Sequence, residues 1–273
     1  MKISLFDNYG AKNSVSVFAA IEQGLRAVGH QVVKHDVDAD AAVIWSMLWN
    51  GRMRPNREVW QQFQGRPIIV AEVGMLRRDH TWKIGLGGTG INAYRFDNLI
   101  PNRARQLGLT LKPWRQGSNV VIAVQRTDSE QWRGQPPLQQ WLQNTVDEIR
   151  KHTNRPIMIR PHPRGSAVMP AGCFLQKPNF TAGTYDSYDF DRGLDTAWCV
   201  VNWSSGPGPQ SVIAGVPAFV GPDSLASPIA NWDFSQIENP LRPDRTAWLE
   251  RLAHTEWTVE EIASGLPFTH LGV

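Results

Sequence analysis

Cysteine is almost missing from this chain. Cys173 and Cys199 are the only two in 273 residues, and no Cys-x-x-Cys occurs. That count excludes a disulfide framework, and with no His cluster at ligand spacing no metal site is expected. Long apolar runs are lacking too. Nothing approaches the roughly 18 residues needed to cross a bilayer. The opening Met1-Lys2-Ile3-Ser4-Leu5-Phe6 turns polar too early for a signal peptide. No repeat with a period of about 20–50 residues is visible, which argues against a solenoid or propeller. The expectation is a soluble, cytoplasmic α/β protein with no membrane partner.

Net charge is small, +3, but unevenly spread. Residues 1–117 carry 16 of the 28 Lys and Arg and only 9 of the 25 Asp and Glu. Between Arg52 and Arg115, twelve basic side chains face only Glu58, Glu72, Asp79 and Asp97. Such a stretch suits a polyanion, or is simply a solvated face. Hydrophobic content of 41% is enough for a sizeable core, and several of the twelve tryptophans, such as Trp45, Trp141 and Trp198, sit among apolar neighbours.

Strand and helix patterns alternate. Ile3–Phe6, Val32-Val33, Ala41–Trp45 and Pro67–Val70 read as strands in the first half. Val17, Phe18, Ile21, Leu25 and Val28 recur at helical spacing, and Gly29 fits the position just past a helix end. Asn56 is placed to cap a short helix through Phe63. From Gly74 to Pro113 turn residues dominate, so loops are expected there. A second unit follows with strands at Val120–Val124, Pro156–Ile159, Trp198–Val201 and Pro217–Val220, and a helix over residues 138–152. Asp244 can cap a later helix, and Thr258-Val-Glu-Glu261 is a capping box. The pattern predicts two Rossmann-like domains, 1–116 and 117–273, facing a central cleft.

Two strand exits carry anion-binding chemistry. Arg160-Pro161-His162-Pro163-Arg164 places two guanidinium groups and an imidazole after one apolar run. Arg grips phosphate through paired N–H bonds, and the prolines limit backbone freedom. Asn202-Trp203-Ser204-Ser205-Gly206-Pro207-Gly208 ends another run and precedes a helix, where amides and hydroxyls suit a phosphate. Read blandly, the first is a strand stop and the second a helix cap. Gly85-Leu-Gly87-Gly88-Thr-Gly90 spells a dinucleotide fingerprint, but it lacks a clear preceding strand, a long helix after it and an acid about twenty residues on. A turn is expected there.

The string R-P-H-P, then S-S-G, Gln210 and Ala214-Gly-Val-Pro217 resembles the donor half of GT-B glycosyltransferases. It is most similar to phage-encoded enzymes that glycosylate modified pyrimidines in DNA. A His-Pro element with paired serines also occurs in transferases that build capsules and polysialic acid. The resemblance covers about residues 118–265; upstream it rests on Glu72-x-Gly74 and the glycine loop. It implies an enzyme that transfers sugar without a bound metal or cofactor, from a nucleotide-sugar co-substrate of the uridine diphosphate kind. Arg160, His162, Arg164, Ser204, Ser205, Gly206 and Gln210 would bind the donor. Many relatives carry glutamate where Gln210 stands, so a charged partner for the ribose is missing here. Fixed cations and oriented dipoles would stabilise the departing phosphate.

An inverting route needs a base for the acceptor hydroxyl, and Glu72, at a strand end, is the first choice, with Asp79 or Asp7 behind it. A structural acid is the competing reading of Glu72. The amino-terminal half binds acceptor in such enzymes. Here it offers Arg52, Arg54, Arg57, Arg77, Arg78, Lys83, Arg95, Arg103 and Arg105, interleaved with Trp49, Trp82 and Tyr94. Double-stranded DNA with hydroxymethylated bases would meet cations at its phosphates and an aromatic wedge at a flipped base. The host cell's cytoplasm would be its site of action. Two alternatives stay open: transfer to surface polysaccharide, and a non-catalytic nucleic-acid-binding protein on a decayed transferase fold.

Overall fold

The fold is known from a computed structural model, which describes residues 1–128, 130–163, 165–180, 188–189 and 191–273. The first apolar run forms β1 (Lys2–Leu5). Helix α1 (Val15–Ala27) then buries Val17, Phe18, Ile21 and Leu25, and Gly29 adopts a left-handed φ of 90° past its end. Strands β2 (Gln31–Lys34) and β3 (Ala41–Trp45) follow, then α2 (Asn56–Gln62), β4 (Ile68–Val73), β5 (Trp82–Leu86) and the short α3 (Arg103–Gln106). Asn56 does not cap α2. Its side chain is buried and donates to the carbonyls of Tyr9 and Trp45, at 3.1 and 2.6 Å.

The second run of elements is β6 (Asn119–Ala123), α4 (Leu138–Arg150), β7 (Ile157–Arg160), β8 (Cys173–Leu175), β9 (Asn179–Phe180), β10 (Tyr188–Asp189), β11 (Ala197–Asn202), α5 (Pro207–Ile213) and β12 (Ala218–Val220). The chain closes with α6 (Thr246–Ala253), β13 (Glu256–Trp257), α7 (Val259–Ala263) and α8 (Leu266–Leu271). Asp244 accepts from the Thr246 amide at the start of α6, and the capping box at Thr258 and Glu261 is formed.

These elements make two Rossmann-like α/β units. The first contains a six-stranded sheet ordered β13-β5-β4-β3-β1-β2, in which β2, β1, β3 and β4 run parallel and β5 alone is reversed, pairing antiparallel with β4 on one side and β13 on the other. The second contains a five-stranded parallel sheet ordered β12-β11-β6-β7-β8. A two-stranded ribbon of β9 and β10 accompanies it. In both large sheets the first strand of the unit is an interior one and the order reverses beside it, between β1 and β3 and between β6 and β11. That reversal is where open α/β sheets bind ligands.

The division of the chain differs from the expected one at 116/117. The first unit comprises Met1–Leu107, Asp128–Gln131 and Glu250–Val273; the second comprises Gly108–Thr127 and Trp132–Leu249. The physical reason is the last segment. Trp257, Ile262, Phe268 and Leu271 are buried in one core with Ile3, Phe18, Ile21 and Trp45. Helix α1 even makes room for the segment at Gly24, where a Cβ would lie 2.9 Å from the Phe268 ring. Arg103, expected on a basic surface, is 1% exposed and holds this segment: it donates to the Ala253 and Glu256 carbonyls, pairs with both Glu261 oxygens, and lies 4.0 Å over the Trp257 ring.

Candidate functional site

In the second unit, β7 and β11 are not adjacent: β6 runs between them, hydrogen-bonded to both. All three are parallel, so their exits emerge on the same sheet edge. Two inter-strand spacings separate the His162 exit from the Ser204 exit, roughly 10 Å. The strand between contributes a residue that the sequence motifs did not single out. Gln125 follows the β6 run and is buried; its Oε1 accepts the Ser204 amide at 2.9 Å. Asn202, the last residue of β11, donates to the Ala123 carbonyl at 2.8 Å and to Ser205 Oγ at 3.0 Å. Its Oδ1 is buried and has no partner among the described residues, a costly state for an acceptor. The polar residue directly after an apolar run was the available signal for Gln125.

The turn at Ser204–Gly208 differs from the expected amide cradle. Helix α5 has only seven residues, and Pro207 and Pro209 in its first turn have no N–H to offer. The Gly208 amide donates to the Ser205 carbonyl, and that of Gln210 to the Gly206 carbonyl. Among the described residues the Ser205 and Gly206 amides donate to no partner, and the Ser205 hydroxyl, which accepts from Asn202, keeps its own hydrogen; the Ser204 hydroxyl is already engaged with Gln125. Gln210 is partly buried on this helix.

Arg160 ends β7 and is 4% exposed. Its guanidinium lies against the bare Cα of Gly193, where a Cβ would be 3.0 Å from Cζ, and Gln176 donates to the Gly193 carbonyl beside it. His162 is partly exposed, and its carbonyl accepts the Gly165 amide at 2.8 Å. Arg164 lies outside the described residues.

The first unit has its own cluster of polar strand ends. Glu72 sits in β4 with Ser46 beside it on the neighbouring strand's exit. Burial raises the Glu72 carboxyl above its ordinary range, against the opposing pull of the Ser46 hydroxyl, the Val73 amide and the charges of Lys83 and Arg78. Such a carboxyl holds a proton more readily than a solvated one. Ser46 adopts a left-handed φ of 64° and His35 one of 52°, strained values for non-glycine residues that the sequence did not announce. His35, at the end of β2, contacts Asp7 Oδ1 through Nε2 at 3.0 Å, and Lys34 donates to Asp7 Oδ2 at 2.7 Å. Burial alone would raise the Asp7 carboxyl, but the hydrogen bonds with Lys34 and His35 hold it below its usual range.

The basic side chains divide. Arg52, Arg54 and Arg57 are exposed around the 3-10 turn at Gly51–Met53 and the start of α2. Arg95 and Arg105 are exposed, and Arg78 and Lys83 partly so. Arg77 is tied to the Leu107 carbonyl at 2.9 Å. Of the aromatics, Trp82 and Tyr94 are buried and give no wedge; Trp49 is partly exposed and packs on Trp60 at 6.1 Å. The glycine loop leaves β5, so a strand does precede it. That strand is antiparallel, however, and a 3-10 turn at Ile91–Ala93 follows instead of a helix, so the dinucleotide geometry is not formed. Asp36 and Asp38, an Asp-x-Asp pair, share a surface turn in which Asp36 pairs with Lys2. Among the described residues no three His, Cys, Asp or Glu side chains approach closely enough to hold a metal, and no helix is long and apolar enough to cross a membrane.

No protein-family model matches the sequence, and no curated protein matches it. Solved structures do match the fold. One is a Thermosulfurimonas dismutans KpsC described as a β-Kdo 2,4 transferase: TM-score 0.54, 12% identity, 98% of each chain covered. Another is that organism's KpsC described as a β-Kdo 2,7 transferase: TM-score 0.55, 14% identity, 98% of this chain and 99% of the other. At such identities the likeness concerns architecture, and it spans both Rossmann-like units.

Proposed function

We propose that this protein is a glycosyltransferase that moves a sugar from a nucleotide donor, of the uridine diphosphate kind, to a hydroxyl on an anionic polymer. The observation that carries the donor half is the polar network at the β6/β11 reversal, where Gln125, Asn202, Ser204 and Ser205 meet. His162 leaves the same sheet edge. In the reaction the anomeric carbon–phosphate oxygen bond breaks and a bond to the acceptor oxygen forms. Hydroxyl and amide donors stabilise charge on the leaving diphosphate. Glu72 takes the acceptor's proton, a role favoured by its raised pKa and its place at a strand end.

For the acceptor we infer DNA with 5-hydroxymethylpyrimidines, supported by the exposed Arg52, Arg54 and Arg57 and by the resemblance of the R-P-H-P and S-S-G motifs to phage enzymes. A second reading, transfer to an anionic surface polysaccharide, is favoured by the shared architecture with two transferases described as acting in Kdo transfer. Labelled uridine diphosphate glucose, incubated with hydroxymethylated duplex and separately with an anionic oligosaccharide, tests both. Label in the duplex, lost in Glu72→Gln, supports the first; label only in the oligosaccharide replaces it with the second. Label in neither, across the common nucleotide sugars, overturns the transferase reading in favour of a non-catalytic protein.

A further inference from the structure

Glu256 was not among the residues that the sequence motifs pointed to, yet it is fully buried at the start of β13. Its carboxylate has no cation within ion-pair range among the described residues. A buried charge in that position must be compensated by hydrogen bonds. All of them come from the loop that leaves β4. The Met75 amide donates to Oε1 at 2.7 Å, the Leu76 amide to Oε2 at 3.1 Å, and the Thr81 hydroxyl to Oε2 at 2.7 Å. Gly74 is the residue that lets the carboxylate in: a Cβ there would run into the Thr81 carbonyl and lie 2.5 Å from Glu256 Oε2. The loop closes on itself through the Gly74 amide to the Thr81 carbonyl and the Thr81 amide to the Arg77 carbonyl.

This loop begins two residues after Glu72 and carries Arg78. Register places Glu72 opposite Lys83 across β4 and β5, and Glu256 opposite the same Lys83 across β5 and β13. Cross-strand partners in antiparallel sheets share a face, so the three form one row, carboxylate, ammonium, carboxylate. The Tyr94 phenol is close enough to feel both carboxylates.

We propose that Glu256 is a positioning residue for Glu72: by clamping Gly74–Thr81 it fixes the Val73 amide and the Arg78 charge around the reacting carboxyl. This rests on Glu72 being the proton acceptor of the proposed reaction. The groups facing Glu72 are Ser46 from β3's exit, Val73 on its own strand, Lys83 on β5, Arg78 in the loop and the Tyr94 ring. Of these, Arg78 lies within the clamped loop and the Val73 amide stands at its entrance, where β4 ends.

The test needs no substrate. Carbon-13 labelling of glutamate carboxyls follows the titration of each, and Glu72 is assigned by the resonance that Glu72→Gln removes. In Glu256→Gln one amide hydrogen faces the loop donors, so the clamp opens. The Met75 and Leu76 amides should then exchange with solvent at least tenfold faster, and the Glu72 midpoint should rise by roughly one pH unit, the size of one lost charge-assisted hydrogen bond. Loss of the Glu256 charge opposes that rise, so the effect is read without the offset in Thr81→Val, which keeps the charge. Thr81→Val, which removes one donor at similar volume, should move both in the same direction by less, and it decides the matter if Glu256→Gln does not fold. Faster exchange with an unmoved Glu72 midpoint would make Glu256 a fold-holding residue only and overturn the proposal. Retained transfer in Glu72→Gln would instead overturn the assignment of the base, leaving the titration result to stand by itself.

Discussion

Replacing Arg103 should remove several kcal/mol of stability from the first unit, on the order of a broken buried ion pair. The guanidinium is 1% exposed and fully used: two bonds to Glu261 at 2.5 and 2.9 Å, one to the Ala253 carbonyl at 2.8 Å and one to the Glu256 carbonyl at 2.7 Å. Arg103→Ala leaves two backbone acceptors without their donor and strands Glu261, whose carboxyl is held low by that guanidinium and by the Thr258 amide against the effect of burial. Breaking a buried pair from one side costs about 3–5 kcal/mol. At roughly 3 °C per kcal/mol for a domain of this size, the thermal midpoint of the first unit should drop by about 10–15 °C. Arg103→Lys keeps the charge but reaches fewer acceptors, so about half that loss is expected. Calorimetry gives the midpoint, and hydrogen exchange should show protection lost first over Glu250–Val273. A drop below about 3 °C for the alanine variant would refute the reasoning, since it would mean that the freed carbonyls and carboxylate find other partners at little cost.

His254 should make stability pH-dependent. Burial lowers its pKa, with smaller contributions from His270 and Arg103, and its Nε2 must stay unprotonated to accept the Ile100 amide at 2.7 Å. With the folded pKa below the unfolded one, the stabilisation is present above about pH 6.5 and is lost as pH falls; thermal midpoints at pH 8 and 5.5 should differ less in His254→Gln than in the parent. Gly74→Ala should cost about 1–3 kcal/mol, because its Cβ meets backbone at Thr81 instead of a movable side-chain end; an unchanged urea midpoint would contradict this. Ser204→Ala should raise the donor KM about tenfold with kcat little changed, the effect of one hydrogen bond used equally in ground and transition states; steady-state kinetics with a fixed acceptor decides.

Much of the fold was legible because buried parallel strands announce themselves as short apolar runs. Ala41–Trp45, Ile68–Val70 and Val120–Ala123 are buried throughout in the structure, as continuous apolar stretches should be. Strand β5 was not legible although Trp82, Ile84 and Leu86 alternate with Lys83 and Gly85, because the run is short and set among turn residues and one of its two partners is the distant β13. Arg103 read as surface because an arginine looks alike whether solvated or enclosed; only Glu261 and Trp257, more than 150 residues on, explain it. The two motif-bearing strands share one sheet with β6 between them, and the intervening Gln125, the prolines' removal of helix amides, and Glu256 depend on long-range geometry that no local spacing records.

The order of the segments also has a consequence for biogenesis. The second unit's residues, Gly108–Thr127 and Trp132–Leu249, are all translated before Glu250–Val273 emerges. Its sheet can therefore consolidate on the ribosome while the earlier-made β1–β5 region still lacks Trp257, Ile262 and Phe268 from its core. The part translated first is thus the part that matures last, and a nascent chain stalled before residue 250 would present an unfinished apolar surface to chaperones.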